Sequence, residues 1–437
     1  MKLILLLKQT FSDVIGVIAS KEGIRRLFQD SLYRNALYLM IANIVGVLLG
    51  FVFWIIVARF YAAEDIGLAS ATISATMLLA SFAHLGLGIG LIRFLPCSSK
   101  SANSMINTCL TISAFSSILA AVIFVAGLGF WSPTLLFIRQ NPIYLAAFVA
   151  FTIAVTLSTL TEQTFVAKRR AGFIVVKTLI FNLLKLPLPI LLAVFFHSFG
   201  IFASWGVSLG VALVVSLFLF LPRAQPGYYP TFAIKRQAVN EMLHFSFANY
   251  ISSLLWAAPV YILPIMVVNL LGAELNAYFY IAWTIASILF MLPGAISTSL
   301  FAEGSSDEER LGFNTWRSLR LVFLTLVPAV IVILPFADKL LLLFGSSYSE
   351  SAATLLRILA LSALPLAINT VYLAIKRVEM KLRLIIGLTA FVAVATLGLS
   401  YWLLPRMGIN GVGVAWLVSQ GVMALGIIAD SLWRRRK

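Results

Sequence analysis

The sequence predicts an all-α polytopic membrane protein: about twelve transmembrane helices in two pseudo-symmetric six-helix lobes. Three observations carry this prediction: a dozen long apolar stretches, basic residues gathered on alternate connections, and a second half that repeats the first. The 437 residues are 61% hydrophobic and only 11% charged, with a mean hydropathy of +1.01. A soluble globular fold is excluded on those figures.

A hydrocarbon core of ~30 Å takes about 20 apolar helical residues at ~1.5 Å rise each. Six stretches meet that length in the first half: Asn35–Ala58, Ile66–Leu91, Met105–Phe130, Ile143–Glu162, Gly172–Phe195 and Gly200–Leu221. Six more follow, all but the 16-residue Leu321–Phe336 of that length: Phe245–Leu271, Asn276–Phe301, Leu321–Phe336, Ala352–Ala374, Leu384–Leu404 and Gly411–Asp430. The expected organisation is a cytoplasmic amphipathic segment 1–32, an N-lobe 33–222, a cytoplasmic linker 223–244, a C-lobe 245–432 and a basic tail 433–437. Leu7, Phe11, Val14 and Ile18 recur at helical spacing near Lys21, Arg25 and Arg26, which suits a helix lying on an anionic leaflet as well as a plain cytosolic extension. Lys8 interrupts the apolar start and no small-residue cleavage site follows, so a removable signal peptide is not expected. Pro222, Pro226 and Pro230 punctuate the linker, as in a connection without regular structure.

The net charge of +16 might suggest nucleic acid, but its placement speaks for membrane topology. The termini and alternate connections hold 25 of the 32 basic residues, among them Lys168, Arg169 and Arg170, then Lys376, Arg377, Lys381 and Arg383. The opposite connections hold only Arg59, Arg139, Lys339 and Arg406. The positive-inside rule then places both termini in the cytoplasm, which an even number of spans permits. The two cysteines, Cys97 and Cys109, imply neither a disulfide framework nor a metal cluster. His84, His197 and His244 are scattered, and no nucleotide or zinc motif occurs in a usable context. No cofactor, metal or catalytic residue is expected.

Ala62-Ala63-Glu64 follows the first span and Gly272-Ala273-Glu274 the seventh, an offset of 210 residues. Ala167-Lys168-Arg169 closes the fourth and Ile375-Lys376-Arg377 the tenth; Gly200-Ile201 opens the sixth and Gly408-Ile409 the twelfth, both at an offset of 208. Three matches in order at nearly constant offset describe a parallel six-plus-six repeat about an axis along the membrane normal. Two lobes around a cleft are a frame for alternating access, although fold alone does not fix function.

Ala58-Arg59-Phe60-Tyr61, Glu64, Gly67, Gly86-Leu87-Gly88 and Arg93-Phe94-Leu95-Pro96 together resemble the first helical hairpin of polysaccharide flippases. These belong to the multidrug/oligosaccharidyl-lipid/polysaccharide exporter (MOP) superfamily. Gly408-Ile409-Asn410-Gly411-Val412-Gly413-Val414-Ala415-Trp416 is similar to the opening of that family's twelfth helix. The resemblance covers the whole chain in span count, loop lengths and lobe order. It implies a MATE-like fold of two V-shaped lobes in the inner (cytoplasmic) membrane. It also implies a polyprenyl-pyrophosphate-linked oligosaccharide as substrate, carried outward for O-antigen, lipopolysaccharide, capsule, exopolysaccharide or teichoic-type assembly. Membrane lipids and proteins of polysaccharide assembly are the other expected partners.

A pyrophosphate headgroup crossing the membrane needs cationic side chains in a sheltered cleft, and an intramembrane charge costs ~2.5–3.5 kcal/mol on insertion scales. Lys185 is the first candidate: it lies fifteen residues beyond Arg170, roughly 22 Å along a helix, in Leu184-Lys185-Leu186-Pro187-Leu188-Pro189. The prolines there free carbonyls, so local carbonyl pairing or snorkelling to the far interface is the alternative. Its repeat counterpart is Ala393, which sets it apart from the shared scaffold. Lys177, matched to Ile385, is a second candidate, with a structural ion pair to Glu162 as the alternative. Arg357, matched to Val149, would complete a phosphate clamp from the other lobe with its planar fork, or else snorkel. His84, mid-span and matched to Gly294, would bond substrate or titrate, against a packing role. Arg59 and Arg93 read as anchors or interlobe contacts, Gly46 with Gly50 and the strip Gly86, Gly88 and Gly90 as close helix packing, and Glu303–Arg310 as a solvated cytoplasmic face. Asn43, Asn249 and Ser252 would line the cleft or link helices.

The chief rival is a cation-coupled multidrug exporter on the same fold, which needs intramembrane carboxylates; Glu162 alone qualifies. A major-facilitator carrier would carry an acidic-arginine glycine signature where Leu95-Pro96-Cys97-Ser98-Ser99-Lys100 stands. A membrane polymerase or glycosyltransferase would need paired catalytic groups on a sizeable outer segment, and the far-side loops are short and nearly free of acids. The expected function is therefore a flippase rather than an enzyme.

Overall fold

The computed structural model describes residues 31–97, 101–193, 196–234, 236–306 and 311–435. The expected amphipathic segment 1–32 lies almost wholly outside these, as do Lys100, Lys235, the end of the basic tail and the side chains of the cluster Glu303–Arg310.

Twelve helices among the described residues are long and apolar enough to cross a membrane. In chain order they are Arg34–Phe60 (α1), Ala63–Ala83 (α2), Ala102–Ala126 (α3), Pro142–Ala167 (α4), Gly172–Leu192 (α5) and His197–Ala224 (α6). The second six are Asn249–Leu271 (α7), Ala273–Thr298 (α8), Thr315–Leu342 (α9), Ser346–Val378 (α10), Leu382–Met407 (α11) and Asn410–Trp433 (α12). The chain is thus a multi-pass membrane protein. Local chemistry sets several boundaries. Glu64 and Asp65 sit in the first turn of α2, where the helix dipole favours acids. The Asn141 side chain accepts from Ile143 N and Tyr144 N to cap α4, with Pro142 at its first position.

The expected second span is broken. After Ala83 the backbone turns left-handed at Leu85 (φ 51°) and Gly86 (φ 72°) and resumes as the short helix Leu87–Phe94. His84 therefore sits at this break, not mid-span. A β-carbon on Gly86 would lie 2.8 Å from Tyr250 Cβ, so both conformation and packing require glycine there. The repeat departs from symmetry here: the matching stretch of the C-lobe carries Pro293 yet continues as one helix, Ala273–Ser306. The connection between lobes also differs from expectation. Among the described residues only 225–234 is irregular, and a helix has begun by Arg236 and runs on into α7.

Within the N-lobe, α1 lies mainly against α5, and α2, α4 and α6 form the centre. Tyr144, Phe148, Phe202 and Phe124 fill the aromatic core there, with Tyr144 stacked on Phe202 at 5.6 Å. The C-lobe centres on α10, packed by α8, α9 and α12, with Trp283 and Trp416 edge to face at 5.2 Å. The lobes meet along α2, which packs against both α7 and α8. At its start, Gly67 lies so close to Ala273 that a β-carbon would overlap the Ala273 carbonyl. Asn276 Nδ2 donates to Gly67 O at 2.8 Å and to Ser70 Oγ at 3.2 Å across this contact. At its end, Tyr250 Oη donates to Phe82 O at 2.8 Å.

Candidate functional site

Lys185 ends the first part of α5, where Leu186 and Pro187 interrupt the helix before Leu188–Leu192. Pro189 cannot donate, and its own carbonyl accepts from Tyr61 Oη at 2.8 Å. The interruption leaves Lys185 facing α1, only 6% exposed. Its Nζ stands 4.7 Å from the Phe53 ring centroid and 4.6 Å from that of Phe181. Two ring faces on one ammonium give a desolvated cation–π site. Among the described residues no carboxylate pairs with Lys185. Neither alternative from the sequence applies: the ammonium meets rings rather than proline carbonyls, and it has not snorkelled out.

The site is one aromatic layer from the interlobe surface. Phe53 contacts Trp54 at 5.1 Å, and Trp54 meets Tyr280 of α8 at 4.9 Å. Phe53 and Trp54 are buried. Lys185 thus lies behind an aromatic screen that separates it from the C-lobe.

The other candidates are not assembled around it. Lys177 Nζ donates to Glu162 Oε1 at 2.8 Å and to Ser158 O at 2.9 Å, so the ion pair weighed as the alternative is the arrangement present. Arg357 Nε donates to Leu334 O at 2.9 Å and Nη2 lies 3.7 Å from Asp338 Oδ1, which ties it to α9 within its own lobe. No clamp of Lys185 and Arg357 is formed. His84 Nδ1 accepts from Gly86 N at 3.1 Å and its ring meets Tyr250 at 5.5 Å, a packing role at the interlobe contact. Arg59 Nη2 donates to Leu343 O at 3.2 Å, the interlobe contact expected of it. Gly86, Gly88 and Gly90 pack against Tyr250, Gln163 and Met242 as expected, whereas Gly50 faces open space.

Three groups of residues at or just behind the interlobe surface were missed: Trp54 and Tyr280 with Phe53 and Phe181 behind them; Asn276; and Asn269, which accepts from Thr134 N at 3.2 Å and donates to Ser132 Oγ at 3.0 Å. The aromatics look like any lipid-facing residue in a stretch this apolar. The two asparagines, each near a span end, were the readable signal.

The charges fully inside the molecule share one sign. Among the described residues the buried ionic side chains are Lys177, Lys185 and Lys376, and no Asp or Glu is buried. Lys376 is neutralised by Glu379 at 2.8 Å and Lys177 by Glu162. Lys185 is left as the uncompensated one.

The family model described as Polysaccharide biosynthesis protein matches residues 32–301, and the MatE model matches 251–402. No curated protein matches the chain. Among solved structures, the fold is similar to an inward-facing conformation of a multidrug resistance MATE family transporter of the MOP superfamily. That protein is 16% identical, with 92% of this chain and 97% of that one covered at a TM-score of 0.68. An outward-facing conformation of such a transporter, 16% identical, covers 94% and 97% at a TM-score of 0.63. A MOP superfamily transporter from Pyrococcus furiosus, 15% identical, covers 93% and 95% at 0.63; its binding pocket is described as having reverse polarity, suggesting a different function.

Proposed function

Since the chain belongs to the Polysaccharide biosynthesis protein family and has the fold of MOP superfamily transporters, we propose that it is a flippase for lipid-linked oligosaccharide. It carries the polyprenyl-pyrophosphate-linked sugar across the cytoplasmic membrane by alternating access, with both termini in the cytoplasm, for surface polysaccharide assembly. The observation that carries this reading is the sign of the buried charge. Lys185 is a desolvated cation without a counter-ion, and no carboxylate is buried among the described residues. A pyrophosphate supplies the missing negative charge, and its strength of pairing is greatest in such a low-dielectric setting. Rotation of the lobes about α2 parts Trp54 from Tyr280 and gives the headgroup access to Lys185 from the cleft.

The second reading, a multidrug exporter, draws on the MatE match and on the multidrug transporters that share the fold. Cationic drugs and coupling cations need a buried acid to receive them. The best-placed acid, Glu162, is half-exposed and already paired. Equilibrium binding separates the two readings. The purified protein is titrated with a polyprenyl-pyrophosphate oligosaccharide, with the same sugar on a neutral lipid, and with a cationic dye. Preference for the pyrophosphate ligand is expected; equal affinity for the neutral glycolipid, or preference for the dye, sinks the proposal.

A further inference from the structure

The geometry points to the lobe-connecting segment 227–234 as a membrane-embedded strap: it covers the start of a row of α3 that continues as that helix's lipid-facing surface, and it contacts the acyl chains of the leaflet at the basic face of the protein. Its main chain is tied to one row of α3 side chains. Asn103 Nδ2 donates to Gly227 O at 2.9 Å, and Asn107 Nδ2 to Tyr229 O at 3.0 Å and Thr231 Oγ1 at 2.7 Å. Thr111 Oγ1 accepts from Ala233 N at 3.4 Å, and Tyr228 Oη donates to Asn107 Oδ1 at 2.7 Å. Asn103, Asn107 and Thr111 are spaced by four, one above another along the helix.

Depth follows from that register. The 25 residues of α3 span roughly 37 Å, about 7 Å more than a hydrocarbon core of ~30 Å. With the excess shared between both ends, Thr111, nine residues beyond Ala102, lies on the order of 10 Å inside the core. The strap therefore climbs from Gly227 at the helix start to Ala233 well below the headgroups. Irregular backbone at that depth is tolerated only where its polar groups are satisfied within the protein. The side chains of Asn103, Asn107 and Thr111 do this for Gly227 O, Tyr229 O and Ala233 N.

The exposed side of the strap is apolar. Phe232 is 89% exposed, Tyr229 67% and Ile234 61%, while Tyr228 is buried as a plug beneath. Beyond Thr111 the same row of α3 continues through Phe115, Leu119 and Val122, all exposed and apolar. Phe232 and Ile234 thus extend the exposed apolar surface of a spanning helix. Arg223 flanks the strap at its start, where anionic headgroups complete the contact.

Single cysteines placed at Phe232, Ile234, Phe115 and Pro226, in a chain with Cys97 and Cys109 replaced, are spin-labelled. The protein is then reconstituted in phosphatidylethanolamine/phosphatidylglycerol vesicles. Labels at 232 and 234 are expected to collide with oxygen and to lose collision with a water-soluble nickel chelate, as at 115, while 226 behaves in the opposite way. Asn107→Ala in the Phe232→Cys chain is expected to restore nickel collision as the strap lifts away. Nickel access at 232 and 234 equal to that at 226 overturns the proposal. So does shielding of both sites from both agents, which would place a protein surface there instead of lipid.

Discussion

Lys185 and Lys177 lie on one helix and illustrate two fates of a buried cation. Lys177 is paired, and removing its partner leaves the charge stranded. Glu162→Gln is expected to destabilise the protein by roughly 1–3 kcal/mol, less than a fully buried pair because Glu162 is partly open to solvent. Adding Lys177→Met should recover most of that loss, read as thermal unfolding in detergent. Lys185 has no partner to lose. Lys185→Met removes an uncompensated charge and should leave stability unchanged or raised, while transport falls at least tenfold, the equivalent of about 1.4 kcal/mol. A destabilised Lys185→Met protein, or one with full transport, would assign the residue to structure. The lysine itself was legible in the sequence because a charge in an apolar helix beside two prolines, absent from the repeat partner, has few bland explanations. Its ring partners were not legible, since nothing in a one-dimensional apolar pattern tells a phenylalanine facing lipid from one facing an ammonium.

At the scale of elements, the tightest turn chemistry lies at the junction of α10 and α11. Met380 there is left-handed (φ 56°), and Glu379 bonds both Lys376 and Lys381. Burial opposes charge on Glu379, but the hydrogen bonds and charges of the two lysines prevail and hold its carboxyl below the usual value. A lowered carboxylate pKa adds stability above the unfolded value, and the gain is lost as pH falls through the folded one. Wild type should therefore lose its advantage over Glu379→Gln, at most about 1 kcal/mol for so open a group, only on acidification; unfolding measured across acid pH checks this. Although the ninth, expected over Leu321–Phe336, runs from Thr315 to Leu342, the helices themselves were readable to within a few residues at most ends, because membrane spanning imposes length and apolarity together. The break at Leu85–Gly86 and the helix that begins by Arg236 were not. Apolarity continues through the break, where the turn depends on how Gly86 meets Tyr250 of the other lobe, whereas the polar Arg236, Gln237, Asn240 and Glu241 read as a continued linker.

For the molecule as a whole, the repeat in the sequence foretold two lobes, and α2 is the line on which they meet. Gly67 with Ala273 and Ser70 with Asn276 hold one end of that line. If transport requires this contact to open, Ser70→Cys with Asn276→Cys, once oxidised, should stop transport, and reduction should restore it. Uninhibited transport in the cross-linked protein would rule out rocking about α2. The proposed substrate rests on the sign of the buried charge, which the scarcity of intramembrane carboxylates suggested in the sequence and which the pairing of Lys177 and Lys376 narrows to Lys185. The most direct test of that claim is leaflet-resolved transport in proteoliposomes, offering wild type a fluorescent polyprenyl-pyrophosphate oligosaccharide and cationic dyes side by side. The account predicts that the anionic lipid-linked sugar crosses and the dyes do not; movement of the dyes with the sugar left in its original leaflet would contradict it.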